Sequence, residues 1–179
     1  ISQTIEVVPD SADKLQFHRA EIPKIKISSH SPKKGSKKDD GVSLAMVLPD
    51  PQIGAHRASD GRLETTQDEA ALDVAHQIML DAENQWGIDL VVNLGDALDF
   101  PAFSTHRSAP GFLTTTQYAI DRWGTELAIQ REIAKESDII AISGNHENRL
   151  NNMLVDKIPG LHGIRRANEE DPVLSIANL

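Results

Sequence analysis

The sequence predicts an α/β domain of βαβαβ order, with parallel strands and right-handed crossover helices. Three observations carry this. Residues 42–48, 88–94 and 139–143 are short, largely unbroken apolar runs, the pattern of strands covered on both faces. Residues 66–86 and 116–135, lying between them, repeat their apolar residues at helical period. Each strand-like run stops abruptly and releases acids or amides: Asp50-Pro51-Gln52, Gly95-Asp96-Ala97-Leu98-Asp99 and Gly144-Asn145-His146-Glu147. Polar strand ends of this kind build sites at the carboxyl edge of a parallel sheet.

Length and composition bound the possibilities. A chain of 179 residues is long enough for one domain with a buried core. Its 39% hydrophobic and 25% charged content is that of a globular chain, not a disordered one. No run approaches the ~18 apolar residues of a membrane-spanning helix, and no secretory pattern opens the sequence. The absence of cysteine excludes disulfides, thiol catalysis and thiolate metal sites, and fits a reducing, cytoplasmic setting. The net charge of −9 is unevenly spread. Residues 1–41 carry eight Lys or Arg against six acids, and the remainder ten against twenty-one. So acidic a body argues against nucleic-acid binding through surface charge. A metal-bound phosphate stays compatible with it, because a bound cation reverses the local field.

Residues 1–41 read as an N-terminal arm and linker, and residues 42–179 as the domain. Ile22-Pro23-Lys24-Ile25-Lys26-Ile27 alternates, as an edge strand does, and an edge tolerates its proline. The Ser-, Lys- and Gly-rich stretch at 28–41, with Lys33, Lys34, Lys37 and Lys38, reads as a solvated linker. The first strand follows at 42–48, then a loop over 53–63. Thr66 and Glu69 have capping-box spacing at the start of the first helix. Ala71, Val74, Ala75, Ile78, Met79, Ala82 and Trp86 form its apolar stripe, with Met79 and Trp86 read as core and Gly87 as the stop. After the strand at 88–94, a long polar loop spans 99–115, a length often associated with function. The second helix covers 116–135, the third strand 139–143, and a last helix 148–156.

The residues at the strand ends point to one chemistry. Asp50, Gln52, Asp96 and Asn145 offer oxygen donors, and His146 adds a nitrogen. Hard oxygen donors suit Mg²⁺ and Mn²⁺, and one carboxylate can bridge two ions. Paired ions of this kind split phosphate esters. The plainer reading, three strand ends with ordinary capping acids, does not explain why Asn and His follow a buried strand and Gly directly.

These three segments resemble the first three motifs of the calcineurin-like metallophosphoesterases, over roughly residues 42–155. The resemblance implies a layered α/β sandwich, of which this chain carries the first βαβαβ half, and a two-metal phosphoesterase acting on a phosphomonoester or phosphodiester. It implies two divalent ions, Mn or Mg first and Fe, Zn or Ni as alternatives. By motif position, Asp50 and Gln52 would ligate the first metal, Asp96 would bridge both, and Asn145 would ligate the second. His146 would be the catalytic histidine and Asp99 the carboxylate that orients it. Arg149 is a candidate for a substrate phosphate, against a plain salt bridge. Glu147 is expected to brace the motif turn.

Two departures from the family pattern stand out. Gln52 occupies a position that usually holds histidine, and would ligate through its carbonyl oxygen. The later histidine motifs of the family have no counterpart, His162 lying too close to the third motif. The expectation is a domain incomplete at its C-terminus, with the site face and one side of the sheet open. The rival is a catalytically incomplete remnant or binding module that keeps the fold. His106, Arg107 and His56 are lesser candidates for the site, and His18, His30 and His76 are expected at the surface.

Overall fold

The computed structural model describes residues 42–170 and 172–175. The expected edge strand at 22–27, the linker lysines, His18 and His30 lie outside the described residues. In chain order the elements are β1 (Ala45–Leu48), β2 (Ala55–Arg57), β3 (Leu63–Thr65), α1 (Glu69–Gln85), β4 (Leu90–Leu94), α2 (Thr116–Ile133), β5 (Asp138–Ile142) and α3 (Asn145–Lys157). Short 3-10 turns at Pro101–Phe103 and Pro110–Phe112 punctuate the long loop before α2, and a third follows α3 at Pro159–Leu161. The chain is thus α/β. β1, β4 and β5 form one parallel sheet in that order, with β4 central. β2 and β3 form a separate antiparallel hairpin where the sequence suggested only loop. None of the helices is long and apolar enough to cross a membrane, among the described residues.

Register decides which strand residues are buried. Partners across a parallel pair point the same way, and side chains alternate along each strand. Met46 lies beside Val91, which lies beside Ile139; these face α1 and α2 and pack with Met79, Ile129 and Ile133. Val47, Ile140, Leu94 and Ile142 point the other way and are 47–52% exposed. The strands are therefore not covered on both faces: helices cover one, and the other is open among the described residues. The expectation of an open sheet side agrees with this.

The first helix begins two residues later than the capping-box spacing suggested. Asp68 is the N-cap, its Oδ1 accepting the Ala71 N–H at 3.1 Å. A side-chain oxygen there satisfies one of the orphan donors of the first turn. At the other end Gly87 takes a φ of +76°, the left-handed turn that glycine adopts without strain. The apolar stripe is wider than the surface that a three-stranded sheet offers. Met79 is fully buried, whereas Val74, Ile78 and Trp86 are exposed. Trp86 stands just past the last helical residue, where the backbone no longer aims it at the sheet; it is not core.

A buried polar chain joins the layers. Asn93 on β4 and Gln130 on α2 exchange hydrogen bonds at 2.9 and 3.0 Å. Glu126, one turn earlier on α2, meets His76 of α1 at 2.6 Å and Arg122 at 3.2 Å. Arg122 also grips Glu69 at 2.8 Å. Glu69 receives a hydrogen bond from Gln67, whose other amide atom accepts the Gly54 N–H at 3.0 Å. His76 is therefore part of the interior network, not a surface residue; its partner comes from a distant part of the chain. Burial opposes the charge of Glu126, but the His76 hydrogen bond and the Arg122 charge outweigh it and hold its pKa below the usual carboxylate value. The Arg122 hydrogen bond lowers that of Glu69.

Arg122→Met should lower the unfolding free energy by about 1.5–3 kcal/mol in urea titrations at neutral pH, the worth of a charge-assisted hydrogen bond, because Glu126 keeps His76 and Gln130 but loses its guanidinium, and Glu69 loses it too. Both carboxylates have folded-state pKa values below their unfolded ones. Their contribution is full above the unfolded values and is lost as pH falls through the folded values. The gap between wild type and variant should accordingly shrink in acid. A gap independent of pH would contradict this assignment.

Candidate functional site

The segments that leave β1 and β4 run side by side. The Gln52 N–H donates to the Asp96 carbonyl at 2.9 Å, Ile53 to Ala97 at 2.8 Å, and Asp99 back to Ile53 at 2.9 Å. The segment leaving β5 is fastened to them by side chains. Asp96 Oδ1 accepts the His146 N–H at 2.8 Å. Glu147, only 3% exposed, accepts three backbone N–H groups: Gly144 at 2.7 Å, Leu98 at 2.7 Å and Asp96 at 3.1 Å. Both of its oxygens are used in this way, so Glu147 braces the turn. Gly144 is required here, because a Cβ on it would lie 2.2 Å from Asp96 Oδ1.

Apolar neighbours anchor these polar turns from below. Ile53, Ala97, Leu98 and Phe100 interleave with the acids and amides along the chain. They are buried with Ala119 and Trp123 of α2 and Leu150 and Leu154 of α3. Fully burying a side chain such as Ile53 or Phe100 stabilises by about 1.5–3 kcal/mol. That burial helps hold an unusual backbone. Asp50, Gln52 and Asp96 have φ of 53°, 44° and 49°, the left-handed region that non-glycine residues seldom occupy. Such conformations cost of order 1–3 kcal/mol each and cluster at functional sites. No pattern in the sequence signals them.

The structure gathers most of the expected site residues. Gln52 Nε2 donates to Asp50 Oδ1 at 2.8 Å, which leaves the amide oxygen of Gln52 and the second oxygen of Asp50 without a partner among the described residues. Asn145 is exposed, and its side chain makes no hydrogen bond to a described residue. The last helix starts at Asn145, three residues earlier than its periodicity suggested, so Asn145 and His146 lie in its first turn. His146 Nδ1 lies 3.2 Å from Asp99 Oδ1, and its Nε2 lies 2.7 Å from Arg149 Nη2. Arg149 Nη1 is 3.3 Å from the same Asp99 oxygen. His146 and Arg149 sit three apart on α3, a spacing that puts both on one face.

Other candidates stand elsewhere. His56 pairs with Glu64 at 3.1 Å and leans on the Phe112 ring. His106, Arg107 and His162 are exposed. No three His, Asp or Glu side chains converge into a metal-binding group among the described residues. The donors present are the carboxylates of Asp50 and Asp96 and the amides of Gln52 and Asn145. A cavity of about 320 Å³ adjoins Asp50, walled by Leu48, Leu72 and Trp123 and floored by Asn93, Glu126 and Gln130. Those floor groups satisfy one another.

Comparison with protein-family models, with curated proteins and with solved structures gives no match.

Glu147→Ala should cost about 3–5 kcal/mol in urea unfolding, since it strips the acceptor from three N–H groups at once. Glu147→Gln keeps one acceptor oxygen and should cost less. A loss below about 1 kcal/mol for the alanine variant, the net worth of one ordinary hydrogen bond, would remove Glu147 from this bracing role.

Proposed function

We propose that this chain is the ligand-bearing half of a calcineurin-like metallophosphoesterase, a hydrolase of phosphomonoesters or phosphodiesters. The observation that carries the reading is the strained backbone. Three candidate ligands, Asp50, Gln52 and Asp96, adopt left-handed conformations beside one another at the carboxyl ends of adjacent parallel strands. Strain concentrated at three polar residues is what a site selected for its donors would retain.

The donor set fits hard divalent ions. Two carboxylates and two amide oxygens match the preference of Mg²⁺ and Mn²⁺. The close approach of Gly144 lets the Asp96 carboxylate sit between the second and third motifs. Asp50 and Gln52 would hold one ion, Asn145 a second, and Asp96 both. Bound there, the ions supply an activated water and offset charge developing on the phosphoryl group. The chain's own residues do the rest. In the working state Asp99, 3.2 Å from Nδ1, would orient the His146 ring, and Nε2, once protonated, would deliver its proton to the leaving oxygen. The Arg149 side chain, 24% exposed and held by Asp99 and His146, would turn its guanidinium to a phosphate oxygen.

The open sheet face agrees with a layered sandwich in which a further layer would cover Val47, Leu94, Ile140 and Ile142. A cytoplasmic setting belongs to the same proposal and rests on the absence of cysteine. The second reading is a remnant or binding module that keeps the fold. The presence of only two carboxylates among the site's donors favours it.

Assays with a model aryl phosphoester and Mn²⁺ on the complete protein separate the two. His146→Ala should lower kcat by ~10²–10⁴-fold, the usual worth of a positioned acid or base, and leave metal content unchanged. Asp96→Asn should lose metal. Asp99→Asn should lose rate and keep metal. Near-full activity in His146→Ala would refute its catalytic role, and equal inactivity of all four proteins would favour the remnant.

A further inference from the structure

We infer that Arg149 is a phosphate-released latch on His146, holding its ring out of catalytic alignment until a substrate phosphate draws the guanidinium away. This rests on the phosphoesterase reading above and adds a control device to it. Arginine has N–H donors and no acceptor. At 2.7 Å from Arg149 Nη2, His146 Nε2 must therefore be the acceptor, with its lone pair committed to the guanidinium. A nitrogen in that state cannot donate a proton to a leaving oxygen.

The other side of the ring is also compromised. Nδ1 must carry the ring proton, and it is buried with no hydrogen-bond partner among the described residues, although Asp99 Oδ1 lies only 3.2 Å away. The contact is close but misdirected. Arg149 Nη1 donates to that same Oδ1 at 3.3 Å. One guanidinium thus occupies Nε2 and competes for the oxygen that Nδ1 needs. Its departure would free both. The orphaned Nδ1 would gain Asp99 Oδ1, and Nε2 would be open to solvent water, from which it takes the proton it then gives to the leaving oxygen.

Phosphate is the ligand suited to draw the guanidinium off. A phosphate group accepts two parallel bonds from the arginine fork and carries negative charge, whereas Arg149 now holds one neutral ring nitrogen and one Asp99 oxygen at 3.3 Å. Arg149 is 24% exposed whereas His146 is 14% exposed, so the latch has the better access to solvent of the two. Glu147, the neighbour that fixes the turn, points away into the backbone of the second motif. The helix start can stay put while Arg149 moves.

The test reads the imidazole directly and needs no turnover. Nitrogen-15 histidine spectra of the metal-free full-length protein, assigned with His146→Gln, should place Nε2 as a hydrogen-bonded acceptor in the wild type. In Arg149→Ala that resonance should move to the position of a free acceptor, and Nδ1–H should show the stronger hydrogen bond. An unchanged spectrum would overturn the latch. Inorganic phosphate added with Mg²⁺ should then shift wild-type Nε2 as Arg149→Ala does, with phosphorus-31 line broadening reporting phosphate binding independently. Binding without the shift overturns the latch alone. No binding at all overturns both the release step and the phosphoesterase reading. In the active protein Arg149→Ala should raise KM by roughly 10- to 100-fold, the worth of a charged hydrogen bond, with a much smaller fall in kcat than His146→Ala. Arg149→Lys should recover part of KM and leave Nε2 free, since one ammonium cannot span both partners. A fall in kcat equal to that of His146→Ala with KM unchanged would overturn the proposal.

Discussion

The Glu147 carboxylate is the constraint on which the site depends. It lies on the first turn of α3, and its two oxygens take backbone N–H groups from two other places in the chain and from its own helix start. A buried carboxylate is tolerable only when its lone pairs are filled, and here backbone donors fill them. In exchange, the turn after β4 and the turn after β5 are held at a fixed distance. Asp96 then reaches across to the His146 amide, and Gly144 gives the room for it. The first turn joins through main-chain bonds from Gln52 and Ile53. Polar residues that are far apart in sequence become neighbours because one acid closes the gap between two strand ends.

That closure sits on two different foundations. Beneath the turns is an apolar cluster of Ile53, Leu98, Phe100, Trp123 and Leu150, whose burial offsets the left-handed backbone above it. Behind the sheet is the polar chain from Asn93 through Gln130 and Glu126 to Arg122 and Glu69. It ends at Gln67, which holds the Gly54 backbone just beyond the first motif. The helices are therefore connected to the site twice, once through packing and once through hydrogen bonds. Distortion at α2 would be felt at the segment that carries Asp50 and Gln52.

The parallel pairing, the helix between successive strands and the three polar turns were legible in the sequence, because unbroken apolar runs that end in Gly or Pro beside acids have few other meanings. Glu147 as a brace was legible from its place in the turn after the third strand, but not as the third residue of a helix, which the sequence put at 148–156. Other features were not. The α1 stripe gave no sign that Val74, Ile78 and Trp86 would face solvent, since periodicity reports a stripe and not the width of the surface opposite. His76 looked like a surface residue because its partner, Glu126, is 50 positions away. The hairpin of β2 and β3 was hidden by strands of three residues each, too short to show alternation. The Arg149 contacts depend on rotamers at one end of α3, which no spacing rule fixes.

The claim at the centre is that the polar side chains at three strand ends act together on paired divalent ions. Electron paramagnetic resonance of the full-length protein during Mn²⁺ titration tests it most directly. Two ions bridged by one carboxylate, ~3.5–4 Å apart, should give an exchange-coupled spectrum as the second equivalent is added. A spectrum that remains that of isolated Mn²⁺ at every ratio, or free Mn²⁺ from the first addition, would contradict a shared two-ion site.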